Sequence, residues 1–324
     1  MKSSGAIFLM LLLGIFFAGC VNLKLQSVVW DPPPYYALER YAQIEGLKIC
    51  YLECGEPSSQ TIIFIHGLSG NVENWWDQFE DFRDDLHVVI ADLPGHGKSS
   101  KPGDFDYSVP SFAKVVVALM DQLEIPKAVV VGNSLGGAIA GYIAIHYPER
   151  VDRLVLEDSA GLGISPMLKA ATPLVSPPLV RLAGVTSARQ YPGISQKQRA
   201  RADFSASYRG TKEEYPYLSA IDKALKQIAK FDFEQELGRI QAKTLVIWGS
   251  DDLTVPARNA RVFNEKIPGS ALYWVKDGGH TPNMLLPREF DCALENFIID
   301  KELEPCHKVG EAERKELEKG KAKK

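Results

Sequence analysis

Short runs of apolar residues recur along this chain, each bounded by glycine, proline or charged residues. Thr61–Ile65, His87–Ala91, Lys127–Val131, Val151–Leu156, Thr244–Trp248 and Ala271–Val275 are of this kind. They are too short for helices and too uniformly apolar for strands with one wet face, so they predict strands covered on both sides. Gln43–Leu52 is different: it turns back at Glu45-Gly46 and predicts an antiparallel hairpin. Between the runs, apolar residues recur at helical spacing over Asn74–Leu86, Pro110–Leu123, Leu135–His146, Pro256–Ile267 and Pro287–Ile298. Strand and helix in alternation predict an α/β fold, a mostly parallel central sheet flanked by helices.

One interval breaks the alternation. About ninety residues separate Leu156 from Thr244, far more than a connection needs. Its first part, Ile164–Leu182, is apolar and studded with proline, and Lys212–Leu237 has the pattern of an amphipathic helix. A helical cap over residues 160–240 is expected, inserted after a central strand between two core segments, 41–159 and 241–299.

The two ends of the chain carry other signals. Lys2 precedes the apolar stretch Ala6–Gly19, too short to cross ~30 Å of hydrocarbon as a helix and suited to a signal peptide over residues 1–19. It ends in Phe17-Ala18-Gly19-Cys20. This resembles the lipobox of bacterial lipoproteins, where the chain is cut before the cysteine and the cysteine is acylated. An ordinary cleaved signal or an uncleaved anchor is the alternative, and each places the body outside the cytoplasm. On the lipoprotein reading Cys20 ties the protein to the membrane of the cell envelope, and residues 20–40, with Asp31-Pro32-Pro33-Pro34, form a stiff tether. Val21 after Cys20 fits sorting to the outer membrane. Residues 301–324 hold eight Lys or Arg and six Asp or Glu, and residues 300–324 are expected to be a charged tail, either a solvated helix or disordered.

Composition narrows the function. At 324 residues, 45% apolar and 24% charged, the chain suits one domain with an elaboration, neither disordered nor fibrous. A net charge of −4 offers no basic face for nucleic acid. Cys50 and Cys54 would lie ~13 Å apart on one strand at ~3.3 Å per residue, out of disulfide reach. Cys292 and Cys306 are either a disulfide or buried free thiols. No C-x-x-C and no histidine cluster points to a metal.

Candidate chemistry centres on Gly132-Asn133-Ser134-Leu135-Gly136, set between an apolar run and a helical stretch of small residues. G-x-S-x-G in that setting describes a sharp strand-to-helix turn that exposes a serine hydroxyl under backbone strain. Its glycines sit where a Cβ would clash. With Phe64-Ile65-His66-Gly67-Leu68 and Asp92-Leu93-Pro94-Gly95-His96-Gly97-Lys98-Ser99, this block makes the chain from Tyr41 to Ile299 resemble an α/β-hydrolase with a helical cap. The resemblance implies a cofactor-free serine nucleophile, Ser134, and the chain order Ser, acid, His. Of the histidines after an acid downstream of Ser134, His307 lies in the charged tail and His280 in the loop after the last strand, so His280 is the base. The family spacing puts the acid at Asp252, with Asp251 and Asp158 as alternatives. Backbone N–H groups of Leu68 and Leu135 are implied as the oxyanion donors. His66 and His96 match structural loop positions, while His87 and His146 fall at element ends. Trp75 and Trp76 belong to the core or the pocket mouth.

The resemblance implies hydrolysis of a small, apolar carboxylic ester. Gly132-Asn133-Ser134 is also similar to carbon-carbon bond hydrolases of aromatic degradation, but those carry Trp after the histidine, where this chain has Thr281. A non-catalytic binding lipoprotein on the same fold is the third reading.

Overall fold

The computed structural model describes residues 38–164, 166–183 and 208–321. The expected signal peptide, Cys20, most of the expected tether and residues 184–207 of the insertion lie outside these. Eight strands form one sheet: β1 (Glu39–Ile44), β2 (Leu47–Cys54), β3 (Thr61–Ile65), β4 (His87–Ala91), β5 (Ala128–Asn133), β6 (Val151–Glu157), β7 (Lys243–Gly249) and β8 (Ala271–Val275). Their spatial order is β1-β2-β4-β3-β5-β6-β7-β8. The β1–β2 and β2–β4 pairs are antiparallel; every other pair is parallel.

Alternation within the apolar runs explains the layers. Ile63, Ile65, Val89 and Val130 point to one face, into a core built with α2 (Val109–Gln122) and α3 (Leu135–His146). Ile62, Phe64, Val88 and Val131 point to the other, against α1 (Trp76–Phe82) and a C-terminal helix, Pro287–Ile298. Successive strand residues face opposite ways, so a strand covered on both sides is apolar throughout. The helix expected from Asn74 begins instead as a 3-10 turn, Val72–Trp75, capped by Asn71. Trp75 is fully buried between Phe64 and Phe290, with ring centroids 4.9 and 5.9 Å away, and Trp76 stacks on Phe79. Both tryptophans are core residues.

Between β6 and β7 the chain forms α4 (Pro166–Ala171), α5 (Pro177–Ala183) and α6 (Glu214–Ile228). Val175, Val180, Tyr208, Tyr217 and Ile221 make a small core of their own. Helix α6 also presses on the loop after β4: a Cβ at Gly95 would stand 2.6 Å from that of Ala220.

After β7 come α7 (Arg258–Lys266), α8 (Pro282–Leu285), α9 (Pro287–Ile298) and α10 (Cys306–Lys321). Of the two alternatives the sequence leaves for the tail, the described residues show the helix, and its packing corrects the expectation of a solvated one. Helix α10 packs along α9 and is stapled to it by a disulfide between Cys292 and Cys306. A Cβ at Gly310 would collide with the Glu289 carboxylate, so only glycine lets α10 come this close. Glu289 is fully buried and accepts hydrogen bonds from Arg314 Nη1 (2.7 Å) and Tyr273 Oη (3.0 Å). His307 stacks on the Tyr273 ring, and the buried Glu313 accepts from the backbone N–H groups of Arg288 and Glu289 at the start of α9. A carboxylate there satisfies helix-terminal donors and complements the helix dipole. Cys50 and Cys54 are both free thiols, and they do not pair with each other, as their spacing on one strand requires. Among the described residues, no helix is long and apolar enough to cross a membrane.

Candidate active site

Strands β5, β6 and β7 run one or more residues past their apolar runs and end in Asn133, Glu157 and Gly249, which still belong to the ladder. Polar residues thus collect at the carboxyl edge of the parallel sheet, where open α/β folds place their sites.

Ser134 occupies the turn between β5 and α3 with φ 53° and ψ −114°, a conformation that costs a non-glycine residue energy. Three main-chain bonds hold it there: its N–H donates to Glu157 O, and its carbonyl accepts from Ala138 and Ala160. Close approach does the rest. A Cβ on Gly132 would stand 2.2 Å from the carbonyl of Gly136, and one on Gly136 2.0 Å from that of Ile65.

His280 and Asp252 meet as the order of the chain implies. Nδ1 of His280 lies 2.8 Å from Oδ2 of Asp252, with both residues buried. The other Asp252 oxygen accepts from the N–H groups of Thr254 (2.7 Å) and Val255 (3.2 Å). Asn133 Nδ2 donates to the His280 carbonyl at 3.0 Å, which ties the histidine loop to the residue just before Ser134. Asp251, an alternative acid in the sequence, instead accepts from Gly279 N at 2.8 Å and braces the same loop. Asp158, the other alternative, lies behind Asp252: one oxygen of each carboxylate and a ring nitrogen of His280 fall within 4.8 Å of one another. These three are of metal-ligating type, but His280 Nδ1 and Asp252 Oδ2 are engaged with each other.

Leu68 and Leu135 flank the serine. A Cβ on Gly67 would approach that of Ser134 to 3.2 Å, so the loop carrying Leu68 lies against Ser134. Leu135 opens α3, where N–H groups have no partner within the helix. The loop is braced from beneath. His66 Nε2 accepts from Leu93 N at 3.1 Å, which leaves Nδ1 to donate to Gly67 O at 2.8 Å. Burial drives His66 down to about 4 and His96 to about 3, so both are neutral struts, as the sequence implied. Asp92 accepts from Val72 N (2.8 Å) and Lys98 N (2.6 Å), joining the two glycine-containing loops. His87 bonds Thr61 and Glu53 at the start of β4.

Glu157 has no place in the sequence-based site, yet it is fully buried and accepts from Asn283 N at 2.8 Å. Burial pushes it up to about 8. The signal was two adjacent acids, Glu157-Asp158, directly after an apolar run.

Gly249 faces the histidine loop, and a Cβ there would stand 1.9 Å from the Gly279 carbonyl. Gly249→Ala is therefore expected to displace His280. A displacement near 1 Å lowers kcat/KM by about 100-fold, with a lower unfolding midpoint. Kinetics and thermal melts of the purified variant check this.

The family model for the alpha/beta hydrolase fold matches residues 60–285. The chain belongs to the α/β-hydrolase fold family. Within that family it is 31% identical over 252 residues to Lipase 1 of Psychrobacter immobilis, covering 73% of this chain and 76% of the lipase. A crystal structure of a bacterial membrane phospholipase A is similar with a TM-score of 0.68 at 26% identity, over 81% of this chain and 86% of that one. The meta-cleavage product hydrolase of Pseudomonas fluorescens has a TM-score of 0.67 at 24% identity, over 82% and 99%, a likeness of fold alone.

Proposed function

We propose that this α/β-hydrolase cleaves carboxylic esters through an acyl-enzyme on Ser134. The buried 2.8 Å pairing of His280 with Asp252, on a loop tied to the residue before Ser134, carries the reading. In the proposed reaction His280 takes the Ser134 proton as the hydroxyl attacks the ester carbonyl, then returns it to the departing alcohol. Asp252 fixes the imidazole tautomer and offsets the imidazolium charge. Backbone N–H groups of Leu68 and Leu135 stabilise the oxyanion, each by ~3 kcal/mol in comparable sites. Water, activated by His280, then releases the acid.

The apolar residues of α4–α6 favour a substrate with a greasy acyl chain. The similarity to a lipase and to a phospholipase supports the same class. Asn133 no longer favours carbon-carbon cleavage, because its bond to the His280 carbonyl gives it a loop-holding role whatever bond is cut. The same proposal places the enzyme outside the cytoplasm, held at the cell envelope by a lipid on Cys20, on the strength of residues 2–20 alone.

A panel of p-nitrophenyl esters of graded chain length tests the reading. Turnover is expected, with kcat/KM rising from acetate to medium chains. Turnover of no ester, together with no fluorophosphonate labelling of Ser134, sinks the reading in favour of a binding protein.

A further inference from the structure

Glu157 is fully buried at the carboxyl end of β6, in register with Asn133 on β5 and Ile247 on β7. It meets both sides of the site. Its backbone carbonyl accepts from Ser134 N at 3.0 Å, and its Oε1 accepts from Asn283 N at 2.8 Å, three residues beyond His280. One residue thus touches the turn that carries the nucleophile and the segment that follows the base.

Asn283 passes that contact on. Its side chain donates to Asn74 O at 2.8 Å and its carbonyl accepts from Gln78 Nε2 at 3.2 Å, so α8 is gripped against α1 and the 3-10 turn before it. At the other end of the segment, the His280 carbonyl accepts from Asn133 Nδ2. Between the two grips run Thr281 and Pro282, and the proline ring fixes its own φ at about −65°. Little slack separates Asn283 from His280.

Charge does not explain the glutamate. Asp252 already faces His280 at 2.8 Å and supplies the anion that the proposed reaction needs. Burying a further carboxyl costs stability, and an apolar residue would end β6 without that cost. What glutamate adds is length: an acceptor that reaches Asn283 N from the residue that holds Ser134 N.

We propose that Glu157 is a positioning residue that sets the distance between Ser134 and His280, its carbonyl holding the first and its side chain the segment behind the second. The inference rests on the ester-hydrolase reading of the same site. Two substitutions separate reach from charge. Glu157→Asp keeps the carboxyl and draws it back by one carbon–carbon bond, about 1.5 Å. Glu157→Gln keeps the reach and the acceptor and drops the acid.

The test is kcat and KM for a p-nitrophenyl ester, with the rate of fluorophosphonate labelling of Ser134, in wild type and both variants well below their unfolding midpoints. E157D should lose about 100-fold in kcat and in labelling rate, the cost of a misplacement near 1 Å. Its KM should stay within about twofold, as when an interaction serves the transition state and not substrate binding. E157Q should lose at most about tenfold, the difference between a charged and a neutral acceptor. E157Q losing as much as E157D, or more, gives Glu157 an electrostatic role and overturns the proposal. Two folded variants at the wild-type rate, or a loss confined to KM, overturn it as well. If E157D does not fold, Glu157→Met, of similar length and without the acceptor, is read in its place against the same expected loss; if that too does not fold, Glu157 serves the fold and the proposal is overturned. Wild type that turns over no ester and takes no label strikes down the ester-hydrolase reading, and this proposal with it.

Discussion

Ser134→Ala is expected to lower kcat for ester hydrolysis by about a million-fold, the size of loss seen when a triad nucleophile is removed. Fluorophosphonate labelling should disappear with it. The unfolding midpoint should not move, because the substitution removes one hydroxyl and leaves the bonds that hold the turn: Ser134 N to Glu157 O, and Ala138 and Ala160 N to Ser134 O. Wild-type turnover by the folded variant would place the nucleophile elsewhere. The million-fold figure is not additive with losses from His280 or Asp252, since in the proposed reaction the three act as one unit.

The second large effect concerns stability. Arg314→Leu is expected to destabilise the protein by ~3 kcal/mol, because it takes the guanidinium from the fully buried Glu289 carboxylate and leaves it only Tyr273 and the His307 ring, whose Nδ1 lies 3.5 Å away. Tyr273 still donates to that carboxylate, which keeps the loss at the lower end of the range for broken buried pairs. Adding Glu289→Gln to the Arg314 variant should recover part of the loss, since a neutral side chain no longer needs the guanidinium. Urea unfolding of the two single variants and the double variant measures this coupling. Additive losses would mean that the pair contributes nothing of its own.

Much of this architecture was written in the hydrophobic pattern. Strands β3, β4 and β8 and helices α3 and α9 begin and end where the apolar runs predict, because each run is set off by turn-forming or charged residues. Strands β5, β6 and β7 run longer than predicted. Their last residues are the polar or small Asn133, Glu157 and Gly249, which pattern alone assigns to loops.

The docking of the C-terminal helix was the larger miss. Its alternating charges look solvated, but Arg314 and Glu313 serve partners 25 and 24 residues away, a pairing that periodicity within one segment cannot register. At the site, the strained turn at Ser134 and the meeting of His280 with Asp252 were legible from motif and order. The crowd of carboxylates was not. Glu157 and Asp158 look like ordinary acids at a strand end, and only the packing of β5, β6 and β7 side by side removes them from water.

The tie between Asn133 and His280 spans 147 residues of sequence. Neither β5 nor β8 brings those two together by itself; β6 and β7 must first assemble between them, across the long excursion that carries α4–α6. Non-local pairings of this kind form late, since the entropy of closing the intervening chain must be met before they stabilise anything. During refolding, helix content should therefore return well before the capacity to react at Ser134.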